Sequence, residues 1–268
     1  MSTTTLIEQI KDDLGYLKLH RSAEVFATLA DGEHHTDRLE FLAALVAEEA
    51  TATRQRRLNA RLRFAHFPAR RAIEEFDFDF QPSIDRALID DLAALDFVRA
   101  GTPILLLGKP GCGKTHLAVS LGIRAVEAGY RGYFTTATDM VAAMTTAYAD
   151  GTFTTKMRTY TSPSVLVIDD VGITPFDRAQ ANAFFQVVNR RYENRSSTIV
   201  TTNRGLTSWA ELFGGDSVVA AAILDRLLDG AAVINIKGPS WRLREHQALT
   251  QPIRDLNDPP EHHPKRRG

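Results

Sequence analysis

Gly108-Lys109-Pro110-Gly111-Cys112-Gly113-Lys114-Thr115 fits the pattern G-x-x-x-x-G-K-[ST], and its flanks are those the pattern needs. Ile104-Leu105-Leu106-Leu107 ahead of it is a short continuous apolar run, as expected of a strand buried on both faces. The thirteen residues from His116 to Ala128 read as a helix stopped by Gly129, a suitable residue just past a helix end. Strand, glycine loop and helix together aim several backbone N–H groups and a helix N-terminus at one point, which suits a polyphosphate. Gly108, Gly111 and Gly113 permit the tight path, with Lys109, Pro110, Cys112 and His116 completing the cradle. Lys114 can reach the β- and γ-phosphates of a nucleotide such as ATP, and the Thr115 hydroxyl can ligate Mg²⁺.

The rest of the chain bounds the answer. Its 268 residues allow one main domain and a smaller one, and 44% hydrophobic with 24% charged residues is ordinary for a soluble globular protein. No apolar run approaches the length of a membrane span, and Met1-Ser2-Thr3-Thr4-Thr5 lacks the basic start and apolar centre of a signal peptide. The single cysteine, Cys112, excludes an internal disulfide and fits a reducing cytoplasm. In its P-loop position a small filler is favoured over a redox switch.

A net charge of −1 decides nothing, but the distribution does. Residues 54–71 hold seven arginines and no acid, whereas 74–96 hold eight acids and one base, Arg86. Leu6, Ile10, Leu14 and Leu17 have helical spacing, and Val25, Phe26 and Leu29 suggest a second short helix before a break at Asp31-Gly32. A long helix follows from about Asp37, with Leu39, Leu42, Leu45 and Val46 on one face, ending before Pro68. Residues 1–67 therefore read as a small helical domain, in which Arg54, Arg56, Arg57, Arg61 and Arg63 are candidate contacts to a phosphate backbone. A solvated helix face is the plainer alternative. Residues 68–100 read as a connector, extended where Phe76, Phe78 and Phe80 alternate with acids, then helical from Ile84 to Ala100 behind a Ser83 cap.

Four more strands follow in a nucleotide-binding domain of residues 101–249: Tyr133–Thr136, Val165–Asp169, Thr198–Thr202 and Val233–Ile236. They alternate with helical stretches, the first beginning near Thr138, which predicts an α/β fold with a five-stranded parallel sheet. Residues 250–268, rich in proline and ending in a basic run, are expected to be disordered. Val165-Leu166-Val167-Ile168-Asp169-Asp170 delivers two acids at a strand's C-terminal end, where open α/β sheets place ligands. Asp169 suits Mg²⁺, a hard cation that wants oxygen, and Asp170 suits a group polarising the attacking water. Asn203, just past the next strand, can sit between the acids and the γ-phosphate, or it can be a turn residue. Arg226, on the apolar helical run Ile223–Leu228, can snorkel or reach a neighbouring subunit's nucleotide. Arg242 follows the last strand.

These parts in this order resemble the AAA+ ATPases, specifically the IstB family of transposition helpers and, more distantly, the DnaC-type helicase loaders. The residues that carry the resemblance are 108–118, Val167–Gly172, Arg190–Arg195, Thr201–Arg204, Ala222–Leu228 and Gly238–Leu243, with Glu40-Phe41-Leu42, Ala65–Pro68 and Phe76–Phe78 upstream. The resemblance implies an ATPase that binds ATP–Mg²⁺ at subunit interfaces and forms a homo-oligomeric ring or filament on double-stranded DNA. It further implies deformation of that DNA and recruitment of a partner transposase. Lys114 and Thr115 then form Walker A, Asp169 and Asp170 Walker B, Asn203 sensor 1, Arg226 the finger acting in trans, and Arg242 sensor 2. Asp170 stands where the wider superfamily has Glu, so slow or assembly-dependent hydrolysis is expected, and Trp241 stands where the family usually has Tyr. The short stretch after Arg242 implies no full C-terminal lid. A helicase loader is the alternative within the same fold. A small-molecule kinase would have no use for Asn203 or the Asp225-Arg226 pair.

Overall fold

A computed structural model of the chain describes residues 2–20, 22–24, 26 and 36–244. Val25, Leu29, the Asp31-Gly32 break, the Leu45 side chain and the tail from 250 lie outside the described residues. The chain divides into two compact units between Phe64 and Ala65, three residues before the boundary expected from composition.

In the first unit, α1 (Thr3–Tyr16) begins at Ser2, whose hydroxyl accepts the Thr5 N–H and so satisfies a free helix-end donor. The long helix is α2 (Thr36–Phe64). Ile10 and Leu14 of α1 share a core with Leu39, Ala43 and Val46 of α2, and with Phe26, as the helical spacing predicts.

In the second unit Ala65–Phe67 joins the sheet rather than the helix before it. The Ala65 carbonyl accepts the Phe134 N–H, and Phe67 packs near Phe134, which explains the earlier boundary. The connector differs from expectation in two places. Residues 73–80 form a short 3₁₀ turn (Ile73–Glu75) followed by turns, not an extended segment, because the Asp77 carboxylate accepts the Phe80 N–H and folds the chain back. The helix of 84–100 is two, α3 (Arg86–Ala93) and α4 (Asp96–Ala100), broken at Leu95, which takes a left-handed φ of 68° and buries its side chain. Asp85, not Ser83, caps α3; the Ser83 hydroxyl instead accepts the Lys237 N–H beyond the last strand. Ile73, Phe76, Ile84, Ile89, Leu92 and Phe97 all join the sheet's core, so the connector is part of this unit.

The remaining elements are β1 (Ile104–Gly108), α5 (Lys114–Glu127), β2 (Gly132–Thr136), α6 (Ala137–Ala149), α7 (Phe153–Thr161), β3 (Val165–Val171), α8 (Arg178–Glu193), β4 (Ser197–Thr202), α9 (Trp209–Leu212), α10 (Ser217–Leu228) and β5 (Ala232–Ile236). Gly129, at φ 99°, ends α5 as predicted. The helical stretch from Thr138 is two helices, parted at Gly151, which takes φ 68°. All strands are parallel, in the order β2-β3-β4-β1-β5, so the expected five-stranded parallel α/β sheet is present. Side chains alternate across it. Leu105, Leu166, Ile168 and Val200 face a core with α6, α7, α8 and α10, while Ile104, Leu106, Val167 and Ile199 face α3 to α5. Burial on both faces explains the unbroken apolar runs.

One buried group breaks the pattern. Arg191 of α8 is 1% exposed and pairs with no acid among the described residues. Its guanidinium donates to the Tyr160, Pro163, Ser164 and Ser197 carbonyls and to the Thr198 hydroxyl, which ties together the approaches to β3 and β4. Burial pushes its pKa down to about 9, so it remains charged at neutral pH, held by four carbonyl dipoles and one hydroxyl.

Candidate functional site

A cleft of about 730 Å³ opens at the C-terminal ends of β1, β3 and β4. The parallel order β4-β1-β5 forces this placement. The connections from β1 to α5, from β3 to α8 and from β4 onward all emerge at that edge. Its walls include Pro110 to His116, Asp170, Asn203 and Arg242, four segments brought from across 130 residues of chain. The connector supplies Pro68, Ala69, Arg71, Glu75, Phe76, Asp77, Phe80 and Gln81.

The loop between β1 and α5 is shaped for close approach. Gly108, Gly111 and Gly113 take φ of 157°, 79° and 98°. A Cβ on Gly111 would lie 2.1 Å from the Ser240 hydroxyl, and one on Gly113 would lie 2.5 Å from the Phe76 ring. A side chain at either position would force its neighbour to move, in a backbone conformation that other residues rarely adopt. Lys114 is buried, and its ammonium donates to the carbonyls of Gly108 (2.9 Å) and Lys109 (3.0 Å), with no carboxylate partner among the described residues. Gly108 and Lys109 thus hold the lysine from behind and do not themselves line the cleft. The result is a buried cation facing a cradle of N–H donors at a helix start, which fits a phosphate chain. His116 donates through Nε2 to the Ala72 carbonyl (2.9 Å) and meets the Phe76 ring edge-on, tying the connector to the loop.

Asp169 and Asp170 occupy opposite roles at the end of β3. Thr115 Oγ1 lies 2.9 and 3.0 Å from the two Asp169 carboxylate oxygens. A hydroxyl and a carboxylate held that close form a hard-oxygen pair suited to Mg²⁺. Among the described residues no cluster of three His, Cys, Asp or Glu could cage a metal. Phosphate and water oxygens would have to complete the shell, as Mg²⁺ favours. Asp170 takes a left-handed φ of 59°, where the β3–β4 register shifts between Ile168 and Val171. That bulge turns the second acid into the cleft instead of across the sheet. Burial, and then the charge of Asp169, raise the Asp170 pKa above the usual carboxylate range; Lys114 and Arg242 act against this.

Several contacts had no sequence signal. Thr201 of β4, fully buried, donates to Asp169 (2.5 Å) and accepts the Asp170 N–H (2.9 Å), so one hydroxyl holds both acids. Gln81 donates through Nε2 to the Pro239 carbonyl (2.8 Å), and its Oε1 lies where a Gly238 Cβ would be. The Trp241 backbone N–H donates to the Gly111 carbonyl (2.9 Å) and the Trp241 ring meets Phe80 edge-on. The turn before Arg242 is therefore clamped from the connector and from the glycine loop.

Arg226 does not line the cleft. It stands half-buried on α10, with Nη1 donating to the Ala222 carbonyl (2.8 Å) and Nε donating to Asn189 of α8. The arginines of α2 lie in the other unit. Arg54 pairs with the buried Asp13, Arg56 with Glu49, and Arg57 lies 4.5 Å over the Tyr16 ring. Arg61 and Arg63 are exposed and make no ion pair among the described residues. No helix among the described residues is long and apolar enough to cross a membrane.

Comparison with known proteins agrees with this geometry. Residues 10–248 match the family model described as IstB-like ATP binding protein. The insertion sequence IS21 ATP-binding protein of Pseudomonas aeruginosa is 41% identical over 222 residues, 82% of this chain and 83% of that one. The IS5376 counterpart from Geobacillus stearothermophilus is 38% identical over 250 residues, 92% and 99% of the two chains. Among solved structures, the DnaC helicase loader is 29% identical with a TM-score of 0.50, over 58% of this chain and 90% of that one. AMPPCP-bound DnaA from Aquifex aeolicus shares the fold at 21% identity, with a TM-score of 0.55 over 72% and 57%. A parallel five-stranded AAA+ core and a match across most of its length place this chain in the family of IstB-like ATP binding proteins.

Proposed function

We propose that this protein is an ATPase of insertion-sequence transposition, which assembles on duplex DNA with ATP and Mg²⁺, deforms that DNA and recruits its transposase. The observation that carries the reading is that Lys114, Thr115, Asp170, Asn203 and Arg242 line one cleft, which Arg226, bonded to Asn189 and the Ala222 carbonyl, does not line. Lys114 exchanges its two carbonyl partners for phosphate oxygens, while the glycine-loop N–H groups bind the rest of the chain. Thr115 and Asp169 would hold Mg²⁺, which when bound neutralises phosphate charge. Asp170 orients the attacking water, Asn203 contacts the phosphoryl group between the acids and β4, and Arg242 adds positive charge. Arg226 of a neighbouring copy completes the site. The connector walls, which include Phe76, Phe80 and Gln81, are positioned to receive the base.

Phosphate-backbone contact belongs to the exposed face of α2, where Arg61 and Arg63 make no ion pair among the described residues. The DnaC likeness supports a helicase loader as the second reading, since the ATPase core alone does not separate the two. The test is turnover per subunit against protein concentration, with and without duplex DNA, alongside pull-down of the transposase and of a replicative helicase. Turnover that rises with both variables, together with transposase capture, is expected. A rate per subunit unchanged by dilution would defeat the shared site, and helicase capture alone would favour the loader.

A further inference from the structure

Arg226 is held in a definite posture on its own subunit, and the residue that holds it lies on another helix. Its Nε donates to Asn189 Oδ1, its Nη1 donates to the Ala222 carbonyl at 2.8 Å, and its guanidinium lies 5.1 Å over the Phe185 ring. Phe185, Asn189 and Glu193 are successive positions on one face of α8, four residues apart. The amide is itself oriented, because Asn189 Nδ2 donates to Glu193 Oε1 at 2.8 Å. With a carboxylate on one side and a guanidinium on the other, only one amide orientation satisfies both neighbours. Nε–H and Nη1 are thus both engaged by groups of the subunit's own helices. The Nη2 group, with two donors, makes no hydrogen bond among the described residues.

We propose that Asn189 is the positioning residue for the Arg226 finger. Together with the Ala222 carbonyl it fixes the plane of the guanidinium, so that the Nη2 donors are already oriented when the phosphates of a neighbouring copy arrive. The proposal rests on Arg226 acting in trans. Fixing the finger before assembly removes rotamer freedom that would otherwise be lost at each encounter, and a misplaced catalytic group forfeits much of its effect.

The test is subunit mixing. Asn189→Ala alone should lower kcat at least about tenfold while leaving KM for ATP and the melting temperature nearly unchanged. Mixed with Asp170→Asn, it should recover activity, because random assembly of equal amounts joins an intact cleft to an intact finger at about one interface in four. Mixed with Arg226→Ala it should recover nothing, since both lack the same half. Asn189→Asp, which keeps an acceptor but adds a charge that retains the guanidinium, should complement in the same pattern if the alanine variant folds poorly. Full activity of Asn189→Ala alone overturns the proposal. So does failure to complement Asp170→Asn in co-assembled mixtures in which Arg226→Ala does complement it. Failure of the Arg226→Ala and Asp170→Asn mixture itself overturns the trans reading, and the Asn189 role with it.

Discussion

Replacing Thr201 by valine removes one hydroxyl and nothing else of comparable size. That hydroxyl donates to Asp169 at 2.5 Å and accepts the Asp170 N–H at 2.9 Å. Asp169 keeps its Thr115 contacts, so its carboxylate stays near its place. Asp170 does not have that security. Its left-handed backbone stores about 1–3 kcal/mol, and an unpartnered N–H adds a further ~1–3 kcal/mol. Both are relieved if the bulge after Ile168 relaxes, which would swing the carboxylate from its position in the cleft. A displacement on the order of 1 Å in a group that orients water costs about a hundredfold in rate, or roughly 2.7 kcal/mol. Thr201→Val is therefore expected to lower kcat by about two orders of magnitude, with ATP affinity within about threefold of the parent. Thr201→Ser, which keeps the hydroxyl, should remain close to the parent. Steady-state turnover at saturating ATP and high protein concentration, paired with titration of a fluorescent ATP analogue, reads both quantities. Undiminished turnover in the valine variant would refute the reasoning, and so would a loss explained entirely by weaker ATP binding.

Three further outcomes concern charge. Because burial and Asp169 raise the Asp170 pKa, the folded state binds this proton more tightly than the unfolded chain, and stability falls as pH rises through the interval between the two values. Asp170→Asn should raise the melting temperature at pH 7, and the gain should vanish below the ordinary carboxylate range; an equal gain at all pH values would contradict this. Turnover should decline on acidification from above that range, since the ionised form orients water. For DNA, Arg61→Ala with Arg63→Ala should shrink the salt slope of duplex binding by about 2 units, whereas Arg54 and Arg56, already paired with Asp13 and Glu49, should contribute less. An unchanged slope in the Arg61 and Arg63 variant would place those side chains away from phosphate.

What the sequence determined by itself was everything encoded by neighbours along the chain. Apolar runs such as Ile104–Leu107 and Val165–Ile168 announce strands covered on both faces, and the glycines of 108–113 announce a backbone path that only glycine follows. Their spacing sufficed for a parallel α/β sheet and for one cleft at its edge. Local pattern failed where a distant partner altered a local preference. Ser83 looks like a cap but serves Lys237, and the phenylalanines of 76–80 alternate as a strand would yet are folded back by Asp77. Leu95 breaks a helix in order to bury itself.

Only the tertiary structure decided which side chains share a hydrogen bond across elements. Thr201 meets both acids because β4 lies beside β3 in a register that slips by design of the bulge at Asp169-Asp170, and no spacing in the chain encodes that slip. Arg191 finds five acceptors and Arg226 finds Asn189 for the same reason. Hydrogen bonds act over about 3 Å, whereas sequence patterns report only direction and burial. The identity of a partner thirty or more residues away therefore appears only once the helices have packed.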